Sequence, residues 1–309
     1  MVWRTSYEQG VEKKKLINSL IEIKYIRIRI MFTKKHRLST DLSTIIPQKR
    51  SIIVIIVHFG SAESTEKLVH AIINGLRPPD QILIVDHDPI PYKNDNKRIV
   101  CIRPAENRGY IAGLRIGVRT SIATEESLLV LLNNDIAVTD HFLTTIESWW
   151  KKSGGPLILA GPHIALLSRF TGRAFVELRH SFHILFPLEY MDGACMVLQR
   201  SLFDQISDFE HLFMYWEDIA MSLRAAALGG KLKKIPHLQV MHDNRQRKLS
   251  GQKLYCLVRN GAYILEQLPF PWGAYWAVKN RIRLWFHTLL PGERHVCVAQ
   301  ALKHAQTLL

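Results

Sequence analysis

The chain has 309 residues, 47% hydrophobic and 22% charged, with 41 Lys and Arg against 27 Asp and Glu for a formal charge of +14. That is enough chain to bury one large globular core, and the composition excludes disordered, collagenous and coiled-coil classes. The four cysteines, at positions 101, 195, 256 and 297, form no C-x-x-C pair, which argues against a zinc or disulfide framework and for a reducing compartment.

No charge-free stretch reaches the roughly 18 to 20 apolar residues of a spanning helix, and charges interrupt the N-terminus from Arg4 onward. Neither an integral membrane protein nor a signal peptide is expected, and the expected compartment is the cytoplasm. The charge divides by region. Residues 1–50 hold 12 basic and 4 acidic side chains, residues 51–243 hold 19 and 21, and residues 244–309 hold 10 and 2. A near-neutral body therefore lies between a basic N-terminal extension and a basic, aromatic C-terminal region. Such ends suit a polyanion or an anionic membrane surface, with plain solubility as the alternative. In the extension, VEKKKLINSL has helical spacing, whereas IEIKYIRIRI alternates like a strand or a surface-lying segment, and Met31 offers a second start.

From Ser51 the pattern becomes regular. SIIVIIV predicts a buried strand, ESTEKLVHAIINGL a helix ending near Gly75, QILIVD a strand closing at Asp86 and RIVCIR a third strand. GYIAGLRIGVRTSI predicts a helix, SLLVLLNND a strand running into a polar turn, and HFLTTIESWWKK another helix. LILAG predicts a strand, residues 169–188 short strands or loops, and GACMVLQ a strand followed by a short helix. FMYWEDIAMSLRAAALGG predicts a helix with acids in its first turn and glycines at its end, KLKKIP and LQVMH read as strands, and the chain beyond His242 as helical. Strands alternating with helices imply an α/β fold, a mostly parallel sheet with helices on both faces and ligands beyond the strands' carboxyl ends.

Four constellations at such positions carry chemistry. Asp86 is a turn residue or a ligand for a ribose or base edge. Asn107 and Gly109, with Gly113 and Gly117, let backbone approach a phosphate or let the helix pack closely on the sheet. Asn133, Asn134 and Asp135 form either a capped turn or a hard-oxygen cluster for a divalent cation on a diphosphate. Glu217 and Asp218 complement a helix dipole or, beside Phe213, Met214, Tyr215 and Trp216, become a general base with a raised pKa. His242, at a strand end, is a structural residue or a metal ligand.

In this order and spacing the four segments resemble the family 2 glycosyltransferases of the GT-A fold, closest to the rhamnosyltransferase-like members of bacterial polysaccharide assembly. The resemblance runs from about Ser51 to about Asn260; FMYWEDIAMSLRAAALGG carries it most specifically, then LLNND and ENRGYIAGLRIG, with LVRN at 257–260 also similar. It implies Asp86 for the nucleotide with Asn107, Gly109 and Asn134 beside it, and Asp135 with His242 for a Mg²⁺ or Mn²⁺ ion. It further implies Asp218, with Glu217 as second choice, for the catalytic base, and Asp192, Gly193 and Trp216 on the acceptor side. The implied reaction is inverting transfer from a nucleoside-diphosphate sugar, dTDP-rhamnose first and a UDP-sugar second, to a glycan or polyprenyl-diphosphate-linked acceptor. Three positions depart from the family pattern: His58 and Phe59 end the first strand, the metal turn has one carboxylate, and Ala220 replaces a third acid.

Rival classes are weaker. A nucleic-acid binder would interleave basic and aromatic residues in the central body, which this one does not, and a dinucleotide oxidoreductase would show G-x-G-x-x-G where HFGSAES stands. A catalytically impaired homologue acting as a scaffold is the third. LPFPWGAYWAVKNRIRLWFHTLLPG reads as a helical cap on the catalytic domain or as an interfacial segment facing anionic lipid at the inner face of a membrane.

Overall fold

A computed structural model describes residues 50–94, 96, 98–166, 189–242, 251–268 and 272–309. The expectations for residues 1–49 and 169–188 lie outside these.

The first half alternates as its periodicity requires: β1 (Ile52–His58), α1 (Ala62–Ile73), β2 (Gln81–Asp86), β3 (Ile99–Ile102), α2 (Tyr110–Thr120) and β4 (Leu128–Asn133). There follow β5 (Ile136–Val138), α3 (Phe142–Ser153), β6 (Ile158–Gly161), β7 (Ile164–Leu166), β8 (Glu189–Met191), β9 (Cys195–Gln199) and α4 (Arg200–Ile206). The chain continues through α5 (Glu217–Ala227), β10 (Lys231–Lys234), β11 (Val240–His242), α6 (Gly251–Glu266), α7 (Trp272–Leu289) and α8 (Glu293–Leu308).

Seven strands form one sheet in the order β10-β6-β9-β4-β1-β2-β3, parallel except for β9, which runs antiparallel between β4 and β6. β1 is buried along its whole length, as a central strand covered on both faces must be. Its alternate residues supply two cores. Ile53, Ile55 and Val57 face Leu114 of α2 and Ile219 of α5, while Ile52, Val54 and Ile56 face Leu68 of α1 and Ile146 of α3. Of the two readings of the α2 glycines, the structure displays close packing: a Cβ on Gly117 would lie 2.6 Å from Ile55 Cγ2.

Register brings the site together. His58 pairs with Asp86, and Val57 with Asn133, so the carboxyl ends of β1, β2 and β4 form one edge. The three-residue β5, which the sequence pattern does not announce, pairs antiparallel with β11 and sets His242 against Ile136. The helix expected from Phe213 begins only at Glu217, because Tyr215 and Trp216 hold left-handed backbone at φ 66° and 72°. Helices α6 to α8 share a small core of Leu254, Ala262, Val298, Leu302 and Ala305, while Ile264, Leu265 and Trp276 join the larger core beneath α5. No helix among the described residues is long and apolar enough to cross a membrane.

Candidate active site

At the edge formed by β1, β2 and β4, polar side chains are spent largely on one another. Asp86 is 3% exposed; its Oδ1 accepts from the Asp88 amide (3.0 Å) and its Oδ2 from the Tyr92 amide (2.9 Å) and Arg103 Nη1 (2.6 Å). The carboxylate thus shapes the 87–92 loop, a full turn role. Asn134, also buried, donates through Nδ2 to Thr65 Oγ1 (3.0 Å) and the Phe59 carbonyl (3.3 Å), and lies 3.3 Å from His58 Nδ1. Burial pushes the His58 pKa down, which favours the neutral ring, and its Nδ1 is hydrogen-bonded with Thr65 Oγ1 at 2.7 Å. The departure at His58 is therefore an internal brace between β1, α1 and the β4 turn.

Asn107 Oδ1 accepts from the Gly109 amide (2.9 Å), and the Tyr110 amide donates to the Phe213 carbonyl (3.1 Å). Gly109, at φ 93°, lies so close to that carbonyl that a Cβ would approach its oxygen to 1.9 Å. The 107–110 segment is thus the platform on which the 213–216 loop rests. Gly109→Ala is expected to cost about 2 kcal/mol or more in stability, through both left-handed strain and backbone collision. Chemical unfolding checks this, and an unchanged midpoint would contradict it.

Asp135 Oδ1 and His242 Nε2 stand 3.2 Å apart, brought from 107 residues' separation by the β5–β11 pair. Two donor atoms binding one octahedral ion at about 2.1 to 2.2 Å would stand roughly 3.0 Å apart on adjacent sites. The pair fits such an ion as a partial set. Among the described residues no group of three His, Cys, Asp or Glu side chains could hold a metal, so remaining positions would fall to a diphosphate and water.

The second polar centre opens α5. Asp218 Oδ1 accepts from the Ile219 amide (2.8 Å) and Oδ2 from the Gly193 amide (3.3 Å), which joins it to the Asp192 turn. Gly193 leaves only 3.1 Å between a would-be Cβ and Asp218 Cβ. Asp192 Oδ1 accepts from the Ala194 amide (3.0 Å), and the Tyr110 hydroxyl donates to the Gly193 carbonyl (3.1 Å). Glu217 Oε2 is buried with no hydrogen-bond partner among the described residues. Burial, reinforced by the Asp218 charge, drives the Glu217 carboxyl up to about 8. Burial, with a smaller contribution from the Asp192 charge, drives Asp218 up to about 6. Both carboxyls are thus held above the usual carboxylate range, so near neutral pH the pair shares about one proton, with Asp218 the more readily ionised of the two.

Because the folded Glu217 value lies above its ordinary value near 4.5, the native state binds the extra proton between about pH 4.5 and 8. Stability from this group is present below that window and is lost as pH rises through it. Glu217→Gln is expected to match the parent near pH 5 and to melt at least about 2 °C higher at pH 9, where the parent buries an anion. Parallel melting curves across that range would show Glu217 to be solvated.

The structure thus gathers Asp192, Gly193, Glu217 and Asp218 in one place, Asp135 with His242 in another, and Asp86 with Asn134 at the sheet edge. Trp216 is turned away from the first group: its Nε1 donates to the Leu257 carbonyl (3.0 Å) and its indole covers Gly261 of α6. Ala220 is buried in the core, where an acid would lie against apolar neighbours. Three residues escaped the sequence reading. They are Tyr110, in the predicted helix GYIAGLRIGVRTSI, Arg103, at the end of the predicted strand RIVCIR, and His87, next to Asp86. His87 is buried opposite Gly113, and neither of its ring nitrogens has a partner among the described residues.

A mostly parallel α/β sheet with acidic and amide side chains at its carboxyl edge is an architecture that the GT-A glycosyltransferases share, and comparison with known proteins supports that fold. No family model matches the chain. It is 26% identical over 237 residues, 67% of this chain and 73% of the relative, to the low-salt glycan biosynthesis hexosyltransferase Agl10 of Haloferax volcanii. The crystal structure of GalNAc-T7 with UDP, GalNAc and Mn²⁺ superposes with a TM-score of 0.51 at 16% identity, over 72% of this chain. The chain spans about half of that structure, 52% of its length. S. aureus TarS gives a TM-score of 0.43 at 12% identity, over 76% of this chain and 42% of that one. The expected fold class is met, and the archaeal relative supports a glycosyltransferase.

Proposed function

We propose that the chain transfers a sugar from a nucleoside-diphosphate sugar to a hydroxyl of a glycan or lipid-linked acceptor in glycan biosynthesis, with inversion. The observation that carries this reading is the half-buried Glu217 and Asp218 pair, its carboxyls pushed up by desolvation toward base duty near neutral pH beside the turn of Asp192 and Gly193. Asp218, fixed by two backbone amides, takes the proton of the acceptor hydroxyl as it attacks the anomeric carbon. Glu217 stays protonated and keeps the site's net charge low. A divalent ion, held by Asp135 and His242, would supply Lewis-acid stabilisation to the leaving diphosphate. A single displacement needs no covalent intermediate, so no further nucleophile is required of the chain.

The rhamnosyltransferase resemblance favours dTDP-rhamnose. The hexosyltransferase name of the archaeal relative and the UDP bound to GalNAc-T7 favour a UDP-hexose. Thermal unfolding with UDP and dTDP, each with and without Mn²⁺, tests the reading and separates the donors, because a ligand of the native state raises its melting temperature. A metal-dependent rise of a few degrees with one nucleotide is expected; no rise with any nucleoside diphosphate would overturn it.

We place the enzyme at the cytoplasmic face of an anionic membrane. Helix α7 exposes Val278, Ile282, Trp285, Phe286 and Leu289 on one stripe, flanked by Arg281, and interfacial helices bind through such a surface. Ile282→Asp combined with Trp285→Asp is expected to reduce cosedimentation with anionic liposomes by roughly tenfold or more, since two buried apolar contacts are exchanged for repelled charges. Unchanged cosedimentation would remove the membrane from this reading.

A further inference from the structure

Between the loop that carries Glu217 and the two helices α6 and α7 lies a cavity of about 340 Å³. Its apolar wall is Trp216, Leu257 and Leu265; α7 contributes Trp276, Lys279, Asn280 and Arg283, one stripe at helical spacing. The polar groups in it are arranged as donors. Trp276, 7% exposed, has a buried Nε1 with no hydrogen-bond partner among the described residues. Arg283 Nη1 touches only the Asn280 amide oxygen, at 3.3 Å, and no carboxylate lies within ion-pair distance of Arg283 among the described residues. The nearby Glu266 is engaged by Asn280 Nδ2 at 2.8 Å, and Lys279 stacks on the Trp276 ring at 4.3 Å. Burial lowers the Arg283 pKa, and burial with the Arg283 charge lowers that of Lys279. Two cations and an indole N–H gathered in an apolar cleft, with no counter-carboxylate on Arg283, match an anion whose oxygens accept from a guanidinium fork.

We infer that this cavity binds the phosphate or diphosphate end of an amphiphile, its apolar stem leaving along the indole and leucine wall. Helical spacing supports the path of the stem. On α7 the exposed Ile282 and Phe286 adjoin the cavity stripe at Lys279, so a chain rooted in a bilayer enters the cationic pocket past that one cation. Trp216 is shared between this cavity and the loop that ends at Glu217, which puts the phosphate end next to the catalytic pair along the chain. Read with the proposed transfer, on which its biological role rests, the cavity is where a lipid-linked acceptor is anchored by its phosphate while its hydroxyl meets Asp218.

Calorimetric titration of the full-length protein in EDTA, with geranyl diphosphate as the probe, tests this. Binding at least tenfold tighter than that of inorganic diphosphate is expected, weakened tenfold or more by R283Q and severalfold by W276F, and unchanged by D135A. Dihexanoyl phosphatidylglycerol binding as tightly as geranyl diphosphate would assign the site to a phospholipid headgroup. Much weaker binding of that lipid would assign it to an isoprenoid phosphate. Absence of geranyl diphosphate binding, or affinities unmoved in both R283Q and W276F, overturns the inference. R283K, which keeps the charge, guards against a folding defect: it should retain most of the affinity that R283Q loses. The outcome is independent of the transferase reading, because Mn²⁺-dependent nucleotide binding should survive R283Q and vanish in D135A. A chain that bound geranyl diphosphate yet no nucleotide would keep the site and lose the proposed reaction.

Discussion

Asp218→Asn is expected to lower the turnover number by about 100- to 10,000-fold, the range that a positioned general base contributes. The substitution is nearly isosteric, and the amide oxygen can still accept from the Ile219 or Gly193 amide that now holds the carboxylate. What it removes is the ability to take a proton. Nucleotide affinity should therefore stay near that of the parent while the chemical step fails. The pH profile gives a second signature. With Asp218 raised to about 6 by burial, parent activity should climb as pH rises through that value, because only the ionised carboxylate is a base. The residual activity of the variant should lack that limb. Turnover within tenfold of the parent would move the base to Glu217, and then Glu217→Gln should show the loss instead.

Asp135→Ala should be nearly as damaging by a different route. Under the proposed reading Asp135 and His242 are the protein's share of an ion on the leaving diphosphate, and a Lewis acid there supplies several kcal/mol of charge stabilisation. At about 1.4 kcal/mol per tenfold, the expected loss in kcat/KM is roughly 100-fold or more. His242→Ala should cost less, since a neutral imidazole offers no charge to hold the cation. The melting-temperature rise with nucleotide and Mn²⁺ should disappear in Asp135→Ala. A rise equal to the parent's would exclude Asp135 as a ligand.

Much of this arrangement is legible in the sequence because it is local. Strand periodicity finds β1, β2 and β4, and the register of a parallel sheet then puts Asp86 and Asn134 at one edge. The acids that open α5 are visible as a pair in a helix's first turn. What stays hidden is non-local or depends on backbone hand. β5 is three residues long, too short for any periodicity, yet its pairing with β11 is what sets His242 beside Asp135. The antiparallel insertion of β9 has no local signature either, although it delivers Asp192 and Gly193 to Asp218. Trp216 sits in a segment whose apolar pattern reads as helix. Left-handed backbone at Tyr215 and Trp216 redirects the indole toward α6, and nothing in the aromatic spacing announces such a turn. Tyr110 and Arg103 matter only through partners 83 and 17 residues away.

The left-handed pair has a consequence for biosynthesis. Non-glycine residues persist in that region only where their surroundings over-determine them. Here the surroundings are α6: Asn260 donates to the carbonyls of Met214 and Tyr215, Arg259 to that of His211, and Gly261 makes room for the Trp216 ring. These supports follow the loop by more than 40 residues. A ribosome-bound chain that has released the sheet but not yet α6 would own Asp135, Glu217, Asp218 and His242 and still lack the supports that hold the 213–216 loop in place. Under the proposed reading, the site becomes competent for transfer only once α6 has docked on the 213–216 loop.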